Sequence, residues 1–231
     1  TPYSSAPYGP TENRPFWASY LKEYCREGYI LVIQDVRGRW MSEGVFENVR
    51  PFNANKKGKE MDESSDTYDA IDWLIKNIPN NNGKAGVFGI SYPGFYSTMA
   101  AASNHPALVA VSPQAPVTNW FIGDDFHHNG AFFQMDAFNF YSALGGGFGV
   151  PHPKPISVAP DPVPYPDYDS YSFFLKTGSL KNLTRYMGDS IAFWKDLMSH
   201  PNYDAFWKAR DARNATRNLK PAMLWVGGLF D

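Results

Sequence analysis

Residues 85–94 read AGVFGISYPG, and this stretch decides the fold. Its first six residues form a short apolar run that predicts a strand, and the stretch 93–103, which holds Met99 and three alanines, predicts a helix directly after it. Ser91 therefore lies on a tight turn between a strand and a helix, which projects its hydroxyl above the edge of a sheet. The strict Gly-x-Ser-x-Gly pattern is not met, because position 93 is proline and the glycine follows as Gly94. Proline is tolerated in the first helical turn, so the predicted geometry is kept.

Ser91 is the candidate nucleophile on this turn. In such a geometry the backbone amide of the next residue, Tyr92, points from the amino end of the helix toward the oxygen of an attacked carbonyl group. The competing interpretation is structural, since a serine between a strand and a helix can simply cap the helix. The stretch predicts a serine hydrolase, and the capping serine is the alternative.

The elements around this turn alternate between helix and strand. A helix over 15–27 precedes the apolar run 29–33, which predicts a strand buried on both faces of a parallel sheet. A second helix is expected to begin with Ser64 or Ser65 as its cap, and a further strand is expected over 108–111. This order predicts an α/β fold with a mostly parallel sheet and helical crossovers.

The pattern changes in the second half of the chain. From about 117 to 218 no clear sheet strand is predicted, and aromatic, Gly-rich and Pro-rich segments surround two helices over about 169–178 and 189–199. Strand character returns over 222–228. We therefore expect three parts: the first part of an α/β-hydrolase core over 1–116, an inserted helical cap over 117–218, and a return to the core over 219–231.

Composition argues against several classes of function. The 231 residues include 21 basic and 23 acidic side chains, a formal net charge of −2, which disfavours a nucleic-acid binder and a basic membrane-surface module. No run of 18 apolar residues is present, so no membrane span is predicted. Cys25 is the only cysteine, which rules out an internal disulfide, and its helical context predicts a small buried residue.

A serine nucleophile needs a histidine base oriented by an acidic residue, and in this fold the chain order is serine, acid, histidine. Asp231 follows the late strand, where the acid is expected. The histidines of the chain all precede it and do not fit this order: His105, His127, His128, His152 and His200. We expect His105 to cap the helix that follows Ser91, His127 and His128 to be placed where they can line a pocket, and the last two to lie in loops.

Two interpretations of the missing base stay open. The simpler one is that the chain is an incomplete part of a larger protein at both ends, with the histidine downstream of Asp231 and further residues upstream of Thr1. The other is an inactive, hydrolase-like binding module.

Several motifs resemble one superfamily of hydrolases. Residues 35–38 (DVRG), 42–44 (SEG), 89–94 (GISYPG) and 227–231 (GGLFD) are similar to those of the cocaine-esterase-like and X-prolyl dipeptidyl-peptidase serine hydrolases. Residues 120–128, WFIGDDFHH, resemble more specifically the α-amino-acid ester hydrolases, which also serve as acyltransferases. The resemblance covers nearly all of the chain.

The resemblance implies roles for individual catalytic residues. Ser91 would be the nucleophile and Asp231 the acid of the triad. The backbone amide of Tyr92 and the hydroxyl of Tyr3 would form the oxyanion hole. The triad histidine would lie beyond the end of the chain.

The resemblance also implies how the substrate binds. Asp125, with Asp124 beside it, would belong to a carboxylate cluster that holds the α-ammonium group of the substrate. This agrees with physical chemistry, because burying an unpaired ammonium group is costly and two adjacent carboxylates favour a shared cation. From the residues alone, a solvated turn or a helix cap is the competing interpretation of this pair.

The implied reaction is acyl transfer from an amino-acid ester, or a related amide, to water or an amine nucleophile, with no metal and no organic cofactor. The implied partners are small molecules, not nucleic acid or a membrane; the family allows a homo-oligomer, and analogy with it suggests a periplasmic or secreted protein. Within the same superfamily, an X-prolyl dipeptidyl peptidase, a glutaryl acylase and a cocaine-esterase-like carboxylesterase are the alternatives.

Overall fold

The fold is seen in a computed structural model, which describes residues 21–39, 42–123, 125–144, 163–166, 169–189 and 191–229. The helices are α1 (Leu21–Arg26), α2 (Glu63–Asn77), α3 (Tyr92–Ala102), α4 (Gln134–Tyr141), α5 (Ser170–Thr177), α6 (Leu180–Met187), α7 (Ala192–Ser199) and α8 (Ala205–Ala209), with a 3-10 turn over Ala212–Ala215. The strands are β1 (Ala85–Ile90), β2 (Leu108–Gln114), β3 (His127–His128), β4 (Ala131–Phe132) and β5 (Ala222–Met223).

Three of these strands form a parallel sheet in the order β1-β2-β5. Helix α3 is the crossover between β1 and β2, as the alternating pattern predicts. A parallel bridge between Gln114 and Val226 extends the β2–β5 pairing toward the carboxyl ends of the strands. Because all three strands run the same way, the segments that follow β1, β2 and β5 meet at one edge, where open α/β sheets carry their sites.

The core of this sheet is formed by small and branched side chains. Ile71 of α2, Ala101 of α3 and the β2 residues Leu108 and Val111 form a buried cluster, and partly buried apolar residues of β1 and β5 pack against it. Helix α3 is buried on most of its surface, which explains why its sequence is apolar all round rather than amphipathic.

The region that lacks predicted sheet strands is mostly helical. Helices α5 and α7 correspond to the two predicted helices, whereas α4, α6 and α8 were not predicted. The antiparallel pair β3 and β4 is a two-residue hairpin outside the parallel sheet. No strand of the parallel sheet comes from the described part of 117–218, as predicted.

The described chain divides into two compact units. One comprises residues 1–47 and 139–193, and the other comprises residues 48–138 and 194–231 and holds the parallel sheet. These bounds differ from those expected for a core and an inserted cap, and the division at 116 and 218 stays a prediction. No helix among the described residues is long and apolar enough to cross a membrane.

Three local predictions were wrong. Residues 29–33 form no strand, and Tyr29, Ile30 and two neighbouring residues are at least half exposed, because this apolar run has no hydrogen-bonded partner strand among the described residues. Cys25 is exposed on α1, whose only buried residue is Leu21. The cap of α2 is Asp62, not a serine.

Candidate active site

The backbone at Ser91 adopts the sharp bend that the sequence predicts. Ser91 has φ +65° and ψ −124°, a conformation that strains a residue with a Cβ atom. Its backbone N–H donates to the Gln114 carbonyl at 2.9 Å, and its carbonyl accepts from the N–H of Phe95 at 3.1 Å. The main chain of Ser91 is therefore held by β2 on one side and by the first turn of α3 on the other.

The side chain of Ser91 does not cap the helix. Ser91 occupies the N-cap position of α3 but makes no side-chain hydrogen bond to the first-turn N–H groups, and the residue is exposed. A capping serine would accept from one of those groups. The capping interpretation is wrong, and Ser91 is an exposed residue at the edge of the sheet.

Two glycines make the bend possible. A Cβ atom on Gly89 would overlap the backbone of Pro93, and one on Gly94 would lie 2.6 Å from the Gln114 carbonyl oxygen and 2.9 Å from the Cα of Pro116. Both glycines are needed because backbone, which cannot move aside, approaches them closely. The shifted glycine at position 94 thus serves the close packing of α3 on the end of β2.

Backbone hydrogen bonds join the ends of the three parallel strands. Besides the bond from Ser91 to Gln114, the N–H of Ala115 donates to the Val226 carbonyl at 2.7 Å, and Ala115 itself has φ +38°. The segment that follows β5 is therefore tied to the end of β2, and the end of β2 to Ser91. Asp231 comes five residues after Val226, and its position lies outside the described residues.

Tyr92 is the first residue of α3. Backbone N–H groups in a first helical turn point out of the amino end of the helix, where they favour negative charge. The Tyr92 hydroxyl accepts from the N–H of Val49 at 2.9 Å and donates to the side-chain oxygen of Asn48 at 3.2 Å. Sequence reasoning missed both partners, because residues 48 and 49 belong to no motif and lie 44 and 43 positions from Tyr92.

A chain of aromatic contacts leads from Tyr92 to the segment that carries Asp125. The rings of Tyr92 and Trp120 are 5.4 Å apart between centroids, and Trp120 stacks on Phe126 at 5.3 Å. Asp125, which is half-buried, directly precedes Phe126. The structure thus brings the residue after Ser91 and the residue after Asp125 into one aromatic cluster. Tyr3 and Asp124 lie outside the described residues.

None of the described histidines hydrogen-bonds to Ser91. His105 does not cap α3, whose C-cap is Ser103; instead its buried ring accepts from the N–H of Ala107 at 3.1 Å. The expectation of a cap was wrong because the chain turns into β2 at this point.

The other described histidines also contact residues near them in the structure. His127 is 3% exposed and stacks on Phe121 at 4.0 Å, and burial among these rings lowers the pKa of its imidazole. His200 pairs with Asp204 at 2.6 Å, a hydrogen bond that holds the pKa of Asp204 below its ordinary value. Exposed His128 stacks on Phe133, and His152 lies outside the described residues.

The parallel sheet, its helical crossover and the strained strand-to-helix turn at the carboxyl end of β1 define the core of an α/β-hydrolase. The family comparison agrees: the model of the X-Pro dipeptidyl-peptidase (S15) family matches residues 2–231. The chain belongs to this family of hydrolases.

Similar proteins include a curated esterase and two proteins of known structure. A cocaine esterase of Rhodococcus sp. (strain MB1 Bresler) is 31% identical over 124 residues, which are 54% of this chain and 19% of the esterase. The crystal structure of an aminopeptidase from the marine sediment archaeon Thaumarchaeota archaeon is 38% identical with a TM-score of 0.72, over 85% of this chain and 31% of that one. A selenomethionine-labelled α-amino acid ester hydrolase is 33% identical with a TM-score of 0.76, over 89% of this chain and 32% of that one. The chain thus spans about a third of the length of these solved structures.

Proposed function

We propose that this chain carries the nucleophile of a serine hydrolase that cleaves esters, and related amides, of α-amino acids through an acyl-enzyme. Ser91 is the nucleophile, and the backbone N–H of Tyr92 with the hydroxyl of Tyr3 forms the oxyanion hole. Asp231 orients the histidine base that a serine nucleophile needs. Asp125, with Asp124, holds the α-ammonium group of the substrate.

One observation supports the assignment of Ser91 as the nucleophile. Ser91 keeps a strained backbone conformation, is exposed, and yet gives no hydrogen bond to the helix that it precedes. Backbone strain persists only where the surroundings enforce it, and it concentrates at functional sites. A serine with a purely structural role would relax into a capping conformation and satisfy a first-turn N–H group.

The proposed reaction needs a serine nucleophile, a histidine base and two donors for the oxyanion. The Ser91 oxygen bonds to the acyl carbon while its proton passes to the histidine base, and the tetrahedral oxyanion is stabilised by the two donors. Collapse of this intermediate breaks the bond to the alcohol or amine, which leaves with the proton from the histidine. Water, or a second amine, then attacks the acyl-enzyme and releases the acid or a new amide. The proposed steps use no metal and no organic cofactor.

The position of Asp125 supports a substrate with an α-ammonium group. The contacts from Tyr92 through Trp120 to Phe126 bring the Asp125 segment close to the turn that carries Ser91. A half-buried carboxylate is suited to bind a cation, and Asp125 directly precedes a residue of this aromatic cluster. Moreover, the names of both solved structures, an aminopeptidase and an α-amino acid ester hydrolase, denote amino compounds as substrates.

Replacing Ser91 tests the nucleophile. In the protein that carries this chain, we expect Ser91→Ala to lower kcat for phenylglycine methyl ester by about 10³-fold or more, because no other oxygen can form the acyl-enzyme. Ser199→Ala is a matched control, since Ser199 is also exposed but bonds only to the Asp196 carbonyl at the end of α7. Hydrolysis that survives Ser91→Ala unchanged would refute the assignment, whereas a parent protein that hydrolyses no ester would favour a binding module.

Comparing two esters tests the ammonium site. We expect phenylglycine methyl ester to be hydrolysed with a kcat/KM at least about tenfold above that of its des-amino analogue, because a charged hydrogen bond contributes about 1.5 to 3 kcal/mol. Asp125→Asn should remove most of this preference, while Asp136→Asn on the exposed face of α4 should keep it.

The same comparison separates the alternatives. Equal rates for the two esters would favour an esterase for bulky aromatic esters or a glutaryl acylase, neither of which needs an ammonium site. The 38% identity to an aminopeptidase also favours a peptide substrate as a second candidate, and this includes an X-prolyl dipeptidyl peptidase. Faster cleavage of a phenylglycine dipeptide, or of an X-Pro dipeptide amide, than of the methyl ester would support that candidate.

A further inference from the structure

The segment Asn48–Arg50 next to Tyr92 is strained at its centre. Val49 has φ +49° and is 0% exposed. A β-branched residue with positive φ is a rare outlier, because its Cβ atom crowds the backbone in this region. Such a conformation persists only where contacts on several sides enforce it. The contacts that hold Val49 are therefore of interest, and one of them comes from the active-site turn.

The phenol of Tyr92 is that contact. Its oxygen accepts the hydrogen bond from the strained Val49 N–H at 2.9 Å and lies 3.2 Å from the side-chain oxygen of Asn48. A phenol has a single proton, and the Val49 N–H takes the role of donor, so the Tyr92 proton goes to Asn48. Asn48 is 8% exposed, which makes this a buried network with defined directions.

The other side of the segment is tied to α2 independently of Tyr92. The Arg50 side chain lies 3.7 Å from the carboxylate of Glu63, the first residue of α2, and the Asn53 N–H donates to the α2 cap Asp62 at 3.0 Å. The segment therefore offers Tyr92 a docking point that is itself anchored to a rigid helix.

The ring of Tyr92 has little freedom to move. It packs edge-on against Phe95 at 6.0 Å, lies 5.0 Å from the ring of Tyr96, and contacts Trp120. With the hydroxyl fixed at one end and the Cα atom at the start of α3 at the other, the side chain acts as a strut between α3 and residues 48–50. The peptide between Ser91 and Tyr92, which carries the Tyr92 N–H, lies at the α3 end of this strut.

We infer that the Tyr92 phenol, held by Asn48 and Val49, is a positioning group that sets the direction of the Tyr92 N–H in the oxyanion hole. This inference rests on the proposed function and adds to it a residue, Asn48, that does not touch the substrate. The phenol acts through the backbone of its own residue. Its loss should therefore weaken stabilisation of the transition state, which lowers kcat, more than it weakens substrate binding.

Tyr92→Phe and Asn48→Ala test this positioning role in the protein that carries this chain. Each should lower kcat for phenylglycine methyl ester by about tenfold or more, because a small displacement of an oxyanion donor is costly, while KM stays within about twofold. If both act through the same hydrogen bond, the double variant should lose no more than about twofold beyond Tyr92→Phe. Tyr68→Phe is the matched control, since the exposed Tyr68 on α2 contacts His105 at the far end of α3.

A readout independent of activity accompanies the kinetics. Deuterium exchange of the Val49 amide should become at least about tenfold faster in Tyr92→Phe, because the buried N–H loses its acceptor. Unchanged exchange would show that the network does not hold Val49, whatever the enzyme does.

The outcomes separate the two proposals. If Ser91→Ala abolishes hydrolysis while Tyr92→Phe and Asn48→Ala keep kcat within about twofold of the parent, the positioning role is overturned and the nucleophile stands. If both variants raise KM as much as they lower kcat, the phenol contributes to binding and the inference is also overturned. Survival of activity in Ser91→Ala overturns the proposed function itself, and accelerated Val49 exchange then supports only a structural strut.

Discussion

Helices α2 and α3 pack in the same unit, but their amino ends are built in opposite ways. At α2, Asp62 accepts from the N–H of Ser65 while the Ser65 hydroxyl accepts from the N–H of Asp62, which completes a capping box. At α3, Ser91 has positive φ and gives no cap hydrogen bond. The serine at the N-cap of α3 thus makes no capping hydrogen bond, and at α2 the capping group is the carboxylate of Asp62.

The difference shows what each end is for. A capped amino end stabilises the helix and occupies a first-turn donor, whereas an uncapped end directs its first N–H groups outward, where they can stabilise a developing negative charge. The contrast between Asp62 and Ser91 therefore separates a structural helix end from one suited to catalysis. Substitutions at the two ends should affect stability and activity in opposite proportions.

The largest effect is expected at Gly94, where α3 approaches β2. Gly94→Ala places a methyl group 2.6 Å from the Gln114 carbonyl oxygen, so α3 must shift away from the sheet. We expect the free energy of unfolding to fall by about 2 to 3 kcal/mol. Because α3 carries the Tyr92 N–H, kcat should fall as well, measured on the fraction that stays folded.

Gly86→Ala is the matched control for this change. A Cβ atom on Gly86 in β1 would meet only the Ala110 carbonyl, at an ordinary 3.6 Å, and Gly86 has no positive φ. Denaturant unfolding of the two variants gives the comparison directly. Equal stability of Gly94→Ala and Gly86→Ala would contradict the close approach of α3 to β2.

A smaller effect, confined to stability, is expected at Asp62. The buried carboxylate also accepts from the Lys56 ammonium group at 2.7 Å and from Ser64 at 2.8 Å. Asp62→Ala should lower the free energy of unfolding by about 2 kcal/mol, at the upper end of the range for a lost cap. In contrast to Ser91→Ala, kcat should stay close to that of the parent.

The contribution of Asp62 should also depend on pH. Burial by itself raises the pKa of Asp62, but hydrogen bonds from Lys56, Asn53 and Ser65 outweigh it and hold the pKa below the ordinary 3.8. A lowered folded pKa adds stability above the unfolded pKa, and this stability is lost as the pH falls through the folded value. The gap in unfolding free energy between the parent and Asp62→Ala should therefore be constant near neutral pH and shrink below about pH 4.

Asp62→Asn sharpens this last test. Asparagine keeps an oxygen for the Ser65 N–H but has no charge for Lys56, so the variant should lose the acid-dependent part and keep most of the cap. A gap between parent and Asp62→Asn that grows toward acid would contradict the assignment of the lowered pKa to Asp62.

The turn at Ser91 could be predicted because its signals are local. A run of strand-forming residues, a serine between small residues and a following helix occur within 85–103, and the structure confirms the strand, the bend and the helix. The parallel pairing of β1, β2 and β5 was also predictable from the alternation of helix and strand. The proline at position 93 did not disturb this prediction, because it lies in the first turn of α3.

Other predictions failed where a partner, not the local sequence, decides the outcome. The apolar run 29–33 has the composition of a buried strand, but strand formation needs a hydrogen-bonded neighbour, which it lacks among the described residues. Ser64 and Ser65 were expected to cap α2, yet Asp62 takes that place because its carboxylate also meets Lys56 and Asn53. Asn48 had no sequence signal at all, since its contact with Tyr92 spans 44 positions.

The sequence by itself determined the class of the protein and the position of its candidate nucleophile, because the bend at Ser91 depends on neighbours within a few residues. Only the tertiary structure decided which groups surround that bend. It showed that Ser91 gives no cap bond, that Gly94 fits against the end of β2, and that Asn48 and Val49 hold the phenol of Tyr92. The physical reason is that a hydrogen bond or a close contact between distant residues depends on the packing of whole elements, which no short stretch of sequence encodes.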